Sequence, residues 1–425
     1  VNTAYVIDET NPLSKSKNAN ISNSLIDSLK IEKTSEKEDK FLIEVTSLLL
    51  SENLSKITGA PYNEEAKENF KIGSISKKKS SINAVLNYPE NTDFEINFVF
   101  SNASNKPIEN QDSRNNSISL RYSFINYHEN NFEQRIEYKI IVDCSERKNN
   151  LSSTDITPYE DLINKWHLEK KDKDNEKSVP IKPITFWIEN TTPYELRPII
   201  KNAVLAWNIA FEEAGFIDAI EVKIQPDDAD WSAGDIRYNV LRWTSSPNPP
   251  FGGYGPSFTN PRTGEILGAD IMLEWIYLTN RVRYSEIFEN QENRENDFCH
   301  NSLIKQENRI FGKLATEALD LNENEISRLY EEDLYQLILH EVGHTLGLNH
   351  NFAASTLHNN SDVHNPEITY KEGLSSSVMD YHALNIAPLG IQQGQYAVIK
   401  PGKYDILAIN YGYTPKLSKK DFVSL

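Results

Sequence analysis

Hydrophobic and polar positions in the N-terminal part of the chain follow the two-residue period of β-strands. β-branched and aromatic residues recur at this spacing in residues 94–100, 117–125 and 135–142. The polar residues 126–133 separate the last two segments and suit a long hairpin loop. The pattern predicts a β-rich accessory domain over residues 1–150, and we find no candidate chemistry in it.

The pattern changes at a mixed-charge run, residues 169–177, which must be solvated and is followed by two prolines. We therefore predict a linker over residues 151–182 and a second domain over residues 183–425. In this domain, apolar residues at helical spacing predict a helix over residues 195–215, which Gly215 ends. Further predicted elements are strands at residues 184–189, 220–224, 235–243, 254–259 and 269–274, and a short helix at residues 404–410.

Three histidines, a glutamate and a glycine form the pattern H-E-x-x-H-x-x-G-x-x-H from His340 to His350. Each residue of an α-helix advances about 100°, so His340 and His344 lie about 40° apart on one face and can reach one ion. Gly347 lets the chain turn, because glycine adopts positive φ without steric cost, and the turn brings His350 back to that ion. Three protein ligands plus water make an open, catalytic site. We therefore predict one catalytic Zn²⁺, with Glu341 as general base and not as a ligand.

A second motif, S-V-M-D-Y at residues 377–381, follows the first. The two motifs together resemble the metzincin clan of zinc metalloproteases, in which a turn called the Met-turn carries a methionine beneath the metal. This resemblance implies that Met379 forms the base of the site. A tyrosine two residues after the methionine is similar to the astacin and serralysin arrangement. It implies that the phenol of Tyr381 approaches the zinc as an extra ligand and can stabilise the oxyanion.

In the metzincin fold, the strand before the last is an antiparallel edge that holds the substrate backbone. The resemblance therefore implies that residues 253–258 contact the substrate, since an edge strand has unpaired N–H and C=O groups. The candidate substrate-binding residues are Gly253, Tyr254, Gly255 and Phe258. A plain exposed edge, blunted by Pro256, is the alternative.

Stretches such as D-I-R-Y and N-P-R-T-G-E-I-L narrow the resemblance to large bacterial EcxA-like zinc metalloproteases over residues 166–415. The implied fold is α+β: a small, mostly parallel sheet with an antiparallel edge strand, a zinc helix, a Met-turn and a C-terminal helix, after a β-rich accessory domain. The resemblance also implies secretion or a periplasmic location. Residues 277–330 are a long insertion before the zinc helix, and both a lid over the cleft and a surface decoration remain open.

Composition limits the classes of partner. The formal net charge of −18 argues against nucleic acid and anionic membranes, since both need a basic protein face. No run of about 18 apolar residues is present, so we predict no membrane span. Cys144 and Cys299 are the two cysteines, and we predict no disulfide. The chain begins at Val1 in strand-like sequence, so we expect it to be a segment of a longer protein.

The sequence thus predicts a zinc metalloendopeptidase that hydrolyses peptide bonds in protein substrates through a zinc-activated water and Glu341. One alternative is a zinc hydrolase of a non-peptide amide, and another is a non-catalytic binding protein that keeps zinc as a scaffold. An intact Glu341 counts against the scaffold, because a structural site needs no base. His382, next to Tyr381, is either a residue of the cleft or simply exposed. Oligomeric state is not predicted.

Overall fold

The computed structural model describes residues 25–57, 73–101, 115–127, 130–137, 144–150, 153–245, 253–274 and 322–415, with a few isolated positions outside these ranges. In chain order, the strands of the described part are β1 (Ala4–Tyr5), β2 (Ile31–Thr34), β3 (Phe41–Ile43), β4 (Phe70–Lys71), β5 (Ser74–Ile75), β6 (Ser81–Asn87), β7 (Asn91–Ser101), β8 (Ser104–Asn105), β9 (Asn115–Ile125), β10 (Ser145–Asn150), β11 (Tyr159–Ile163), β12 (Lys165–Trp166), β13 (Ile184–Ile188), β14 (Ile220–Ile224), β15 (Asn239–Thr244), β16 (Gly253–Tyr254), β17 (Ser257–Thr259) and β18 (Glu265–Glu274). The helices are α1 (Thr46–Leu49), α2 (Arg197–Leu205), α3 (Asn208–Glu213), α4 (Glu323–Thr345), α5 (Pro366–Glu372) and α6 (Lys403–Tyr413), with a 3₁₀ turn at Ala354–Leu357.

The chain divides into two compact units. The smaller comprises residues 12–129 and 290–297, and the larger comprises residues 1–11, 130–289 and 298–425. The architecture is mixed α and β with a β-rich N-terminal region, as predicted. The predicted domain limits at residues 150 and 182 stay predictions.

The smaller unit contains an antiparallel sheet around β7. This strand pairs with β5, β6 and β9, and its pairing with β9 covers eleven residue pairs. The side chains of Leu49, Ile96, Phe98 and Phe100 are almost completely buried and form its core. The predicted strands at residues 94–100 and 117–125 are therefore confirmed.

The predicted strand at residues 135–142 is wrong for the three residues that the structure describes, 135–137. Ile136 forms an isolated bridge with Leu162, and β9 pairs with β7 and not with these three residues. Arg135 is buried, and its guanidinium donates to the carbonyls of Tyr411 and Thr414 at the end of α6. A contact between distant parts of the chain thus replaces the expected local pairing. Residues 138–142 lie outside the described residues.

The larger unit contains a seven-stranded sheet in the order β12-β18-β15-β13-β14, with parallel pairing throughout this path. β16 and β17 pair with β18 in the antiparallel direction. β1, β10 and β11 form a separate three-stranded sheet. The predicted strands of this region are confirmed with shifted bounds, except that the one at residues 254–259 is two short strands, β16 and β17. β15, for example, begins at Asn239 because Asp235 and Arg237 form a side-chain ion pair within a turn.

The helix predicted over residues 195–215 is two helices, α2 and α3, which are separated at Ala206 and Trp207. The Trp207 side chain is fully buried, and its indole N–H donates to the carbonyl of Leu339 in α4 at 3.1 Å. The predicted stop at Gly215 is confirmed, since this residue has φ +89° just after α3.

The long helix α4 carries the histidine motif at its C-terminal end. Asn322 caps its first turn by accepting the N–H of Glu325 at 3.1 Å, and two glutamates in that turn complement the helix dipole. Residues 334–343 of the helix, apart from the half-buried Tyr335, are buried against the sheet and the remaining helices. None of the helices that the structure describes combines the length and apolar character needed to cross a membrane.

Candidate metal centre

The structure brings the three predicted ligand histidines together. The ligating nitrogens of His340, His344 and His350 lie within 4.8 Å of one another, and the described residues contain no second cluster of this kind. Nε2 of His344 and Nε2 of His350 are 3.2 Å apart. The His340 ring is fully buried, and the other two rings are partly exposed. The cluster therefore has one open side.

Backbone carbonyls set the orientation of the first two rings. Nδ1 of His340 lies 2.8 Å from the carbonyl oxygen of Val378, and Nδ1 of His344 lies 2.9 Å from that of Leu348. A carbonyl oxygen only accepts, so Nδ1 carries the proton in both rings. Each Nε2 is therefore unprotonated, which is the form that binds a metal.

The donor set fits a zinc ion. In tetrahedral geometry with Zn–N bonds of about 2.0–2.1 Å, two ligand nitrogens are about 3.3–3.4 Å apart. The 3.2 Å between His344 and His350 is close to this value. Burial, and then the neighbouring His350, lower the pKa of His344 to about 4, so its ring is neutral at pH 7. Neutral imidazoles are ready to coordinate without losing a proton.

Gly347 lies at the turn between the second and third histidines. Its φ is +100°, and it ends α4 with two hydrogen bonds, from its own N–H to His344 O and from Leu348 N–H to Gly343 O. A Cβ at this position would lie 1.9 Å from the carbonyl oxygen of Asn164. Both the backbone conformation and the close approach of a second segment therefore require glycine here.

Met379 packs directly against α4. Its side chain is fully buried, and a Cβ added to Gly343 would lie 2.3 Å from its sulfur and 3.0 Å from Cζ2 of Trp207. Gly343 precedes His344, so the thioether fills the space beside the second ligand. The sequence analysis did not single out Gly343, because its role depends on residues that are distant in the chain.

Tyr381 approaches the same cluster. Its hydroxyl lies 3.0 Å from Nε2 of His350, and its ring makes an edge contact with that imidazole. The ring of Phe352 stacks on His350 with an interplanar angle of 14°. Asp380 accepts the N–H groups of Tyr381 and Ser355, which fixes the turn that carries the tyrosine. The phenol thus stands beside a ligating nitrogen, where an extra ligand would lie.

Two family models match the chain. Residues 322–422, which contain the whole cluster, match a family described as Met-zincin. We call these residues the Met-zincin segment. Residues 1–171 match a family described as a domain of unknown function (DUF5117). No curated protein and no solved structure matches the chain. The Met-zincin segment and its histidine cluster support a zinc metallopeptidase in general. The narrower resemblance to EcxA-like proteases stays a prediction.

Glu341 of the Met-zincin segment is fully buried and contacts the edge strand β16. A Cβ on Gly253 would lie 3.2 Å from Oε1 of Glu341, and one on Gly255 would lie 2.6 Å from its carbonyl oxygen. Burial and the charge of Glu341 raise the pKa of Tyr254. Phe258 lies in β17, and 37% of it is exposed. Three of the four candidate substrate-binding residues therefore lie at Glu341.

Asp405, in the first turn of α6, is a site residue that the sequence analysis missed. Its buried carboxylate accepts from the hydroxyl of Ser377 at 2.5 Å, from Val378 N–H at 2.8 Å and from Gly402 N–H at 2.7 Å. It therefore holds the segment whose Val378 carbonyl orients His340. Burial raises the pKa of Asp405 to about 6 against these hydrogen bonds. The only sequence signal is an acidic residue three positions after a glycine at a helix start.

His382 is tied to the zinc helix. The Oε1 atom of Gln336 accepts the N–H of Val398 at 3.2 Å, so its Nε2 donates to Nδ1 of His382 at 3.0 Å. Gln336 lies four residues, or one helical turn, before His340. His358 instead lies 2.7 Å from the carbonyl oxygen of Gly373, away from the cluster.

Proposed function

We propose that the protein is a zinc-dependent metalloendopeptidase that hydrolyses peptide bonds in protein or peptide substrates with one catalytic zinc ion per chain. The observation that carries the proposal is the set of converging imidazole nitrogens, with two Nδ1 atoms bonded to carbonyls and Glu341 on the same helix. A scaffold that only stores zinc needs no buried carboxylate at this position. We assign residues 377–381 as the Met-turn.

His340, His344 and His350 would hold the ion, and Tyr381 would lie beside it. When bound, Zn²⁺ polarises a carbonyl and lowers the pKa of water toward 7. The carboxylate of Glu341 receives the proton of the attacking water and returns it to the leaving amine. The Tyr381 hydroxyl donates to the oxyanion that develops on the substrate carbonyl.

We propose that β16 supplies the substrate-binding edge. It pairs with β18 on one side, and Gly253 within it and Gly255 just after it allow a close approach to Glu341. A peptide that pairs with such a strand gains backbone hydrogen bonds whatever its side chains are. The scissile carbonyl would then be held next to Glu341. Secretion or a periplasmic location is part of the same proposal and rests on the family resemblance alone.

The test combines metal analysis with a casein assay, with and without a chelator. Glu341→Gln should keep its zinc and lose activity by about 10²- to 10⁴-fold, since it removes the proton acceptor but no ligand. Glu331→Gln, an exposed glutamate of the same helix, is the matched control and should keep both. Near-wild-type hydrolysis by Glu341→Gln would refute the general base. Zinc bound without casein hydrolysis in the wild type would favour a non-peptide amide or a scaffold.

A further inference from the structure

A cavity lies apart from the histidine cluster, within the larger unit. Its volume is about 590 Å³, and none of its lining residues belongs to the candidate metal centre. Its walls include Arg135, Lys165, His167, Leu168, Ala214 and Tyr413. The Tyr413 hydroxyl accepts from Trp166 N–H and donates to the carbonyl of Leu346, both at 3.1 Å. One wall of the cavity is therefore attached to the end of the zinc helix.

Lys165 is the unusual residue of this cavity. Only 8% of it is exposed, and its ammonium group lies over the rings of Phe132, at 4.8 Å, and Tyr413, at 5.9 Å. Within the described part of the chain, its three N–H donors have no hydrogen-bond acceptor and no ion-pair partner. The side chain is buried, but Nζ itself faces the cavity, so its donors are open to solvent or to a group that the chain itself does not supply.

The two nearby carboxylates that act on Lys165 are held by other groups. Glu133 forms its ion pair with Arg135, at 3.6 Å. Both oxygens of Glu265 accept from the amide of Asn130, at 2.8 and 3.0 Å, and one also lies 3.6 Å from His167. Neither carboxylate therefore neutralises the ammonium group by direct contact.

A second buried cation adds to the positive charge of the cavity wall. Arg135 is 7% exposed, and its charge acts on Lys165. Burial, and then Arg135, lower the pKa of Lys165 to about 8, so the amine is still mostly protonated at pH 7. The lining as a whole includes five glutamates and five lysines or arginines, and four of these glutamates (Glu133, Glu176, Glu212 and Glu213) are exposed. Two buried cations and a rim with charges of both signs favour a ligand that brings one negative charge into the cavity over a ligand that brings two.

We propose that this cavity is a binding site for a carboxylate-bearing ligand, whose carboxylate accepts hydrogen bonds from Lys165 beside Arg135. A carboxylate presents two oxygens with about four lone-pair sites, which matches an ammonium group with three unused donors. A free organic acid and the C-terminus of a peptide both carry this group. The site is independent of zinc and of the proposed peptidase activity.

The experiment measures binding by calorimetry to the zinc-loaded protein, with acetate, triglycine and triglycine amide as probes. Triglycine and its amide differ only in the terminal carboxylate, so their comparison in the wild type needs no variant. Lys165→Met keeps the length of the side chain without its charge, and Lys201→Met, at an exposed helical position, is the matched control. We expect the wild type and Lys201→Met to bind acetate or triglycine. Binding to Lys165→Met should be roughly tenfold weaker or more, as should binding of the amide to the wild type.

Binding of acetate without triglycine would assign the site to small free acids, and binding of both would show that a peptide end also fits. Equal affinity of Lys165→Met and the wild type would overturn the proposal. So would equal affinity for triglycine and its amide in the absence of acetate binding, or a lack of binding by both acids up to about 100 mM. A crystal soaked with acetate should place a carboxylate oxygen within about 3.2 Å of Nζ of Lys165.

Discussion

Replacing Gly343 by alanine should destabilise the protein, although alanine is the better helix former. The new Cβ would lie 2.3 Å from the sulfur of Met379 and 3.0 Å from Cζ2 of Trp207. Both of these side chains are fully buried and have little room to move. The helix would have to shift or the methionine would have to leave its position beside His344.

The expected size follows from two opposing effects. Alanine gains about 1 kcal/mol over glycine in a helix interior, and overpacking a buried site costs about 1–3 kcal/mol. The free energy of unfolding of Gly343→Ala should therefore fall by about 1 kcal/mol. Gly412 is the matched control, because it also lies near the end of a helix and the nearest atom to its Cβ would be Cδ1 of Ile163, at 3.5 Å. Gly412→Ala should gain about 0.5–1 kcal/mol.

Urea unfolding of the zinc-free variants, followed by circular dichroism, measures both changes. A double variant, Gly343→Ala with Met379→Ala, removes the sulfur from the clash. Its loss in free energy of unfolding should be smaller than the sum of the losses of the two single variants. The reasoning would be refuted if Gly343→Ala and Gly412→Ala stabilised the protein equally and the double variant showed no coupling.

Three further predictions concern the supports of the site. The pKa of Asp405 is raised to about 6, so the folded protein holds this proton more tightly than the unfolded one. Protonation of Asp405 therefore stabilises the folded protein by about 3 kcal/mol. This contribution is complete below about pH 4 and is lost as the pH rises through about 6. Unfolding measured against pH should show this fall in the wild type but not in Asp405→Asn, and parallel curves would contradict it. Gly347→Ala should cost about 1–3 kcal/mol in backbone strain, apart from its clash with Asn164, and weaken zinc binding in a chelator competition. Unchanged stability and zinc affinity would exclude this role. Tyr381→Phe should keep its zinc and lower kcat by about 10²-fold, and an unchanged kcat would remove the hydroxyl from the mechanism.

The sequence predicts the parts of the site that local geometry determines. The spacing of His340 and His344 follows from helical rotation, and both lie at the C-terminal end of one helix. Gly347 was predicted as a turn residue from its place after the second histidine, and its positive φ and two closing hydrogen bonds show that turn. The strands at residues 94–100 and 117–125 were likewise predictable, since their alternation reflects a core on one face of a sheet.

The rest depends on contacts between distant segments, which no local pattern contains. The helix predicted over residues 195–215 breaks where Trp207 bonds to the zinc helix. Arg135 lies outside any strand because its guanidinium binds the end of α6. From the sequence alone, Asp405 is an ordinary acidic residue in the first turn of a helix. Only the structure shows that its carboxylate accepts hydrogen bonds from Ser377 and Val378. In each case a contact with a residue that is distant in the chain changes the local structure, or the role, that the sequence predicts.

The groups that orient the first two ligands are backbone carbonyls, at Val378 and Leu348. Every residue type has this carbonyl, so side-chain identity at these two positions does not reveal which groups orient the ligand rings. Where another part of the chain packs closely against the backbone, the sequence instead shows a glycine, as at Gly343 and Gly347. Selection for the centre should therefore act on these glycines more strongly than on Val378. The carbonyl that orients His344 follows Gly347 in the chain, whereas the segment whose carbonyl orients His340 is held by the carboxylate of Asp405. The supports of the centre therefore lie partly within the recognisable motif and partly far from it.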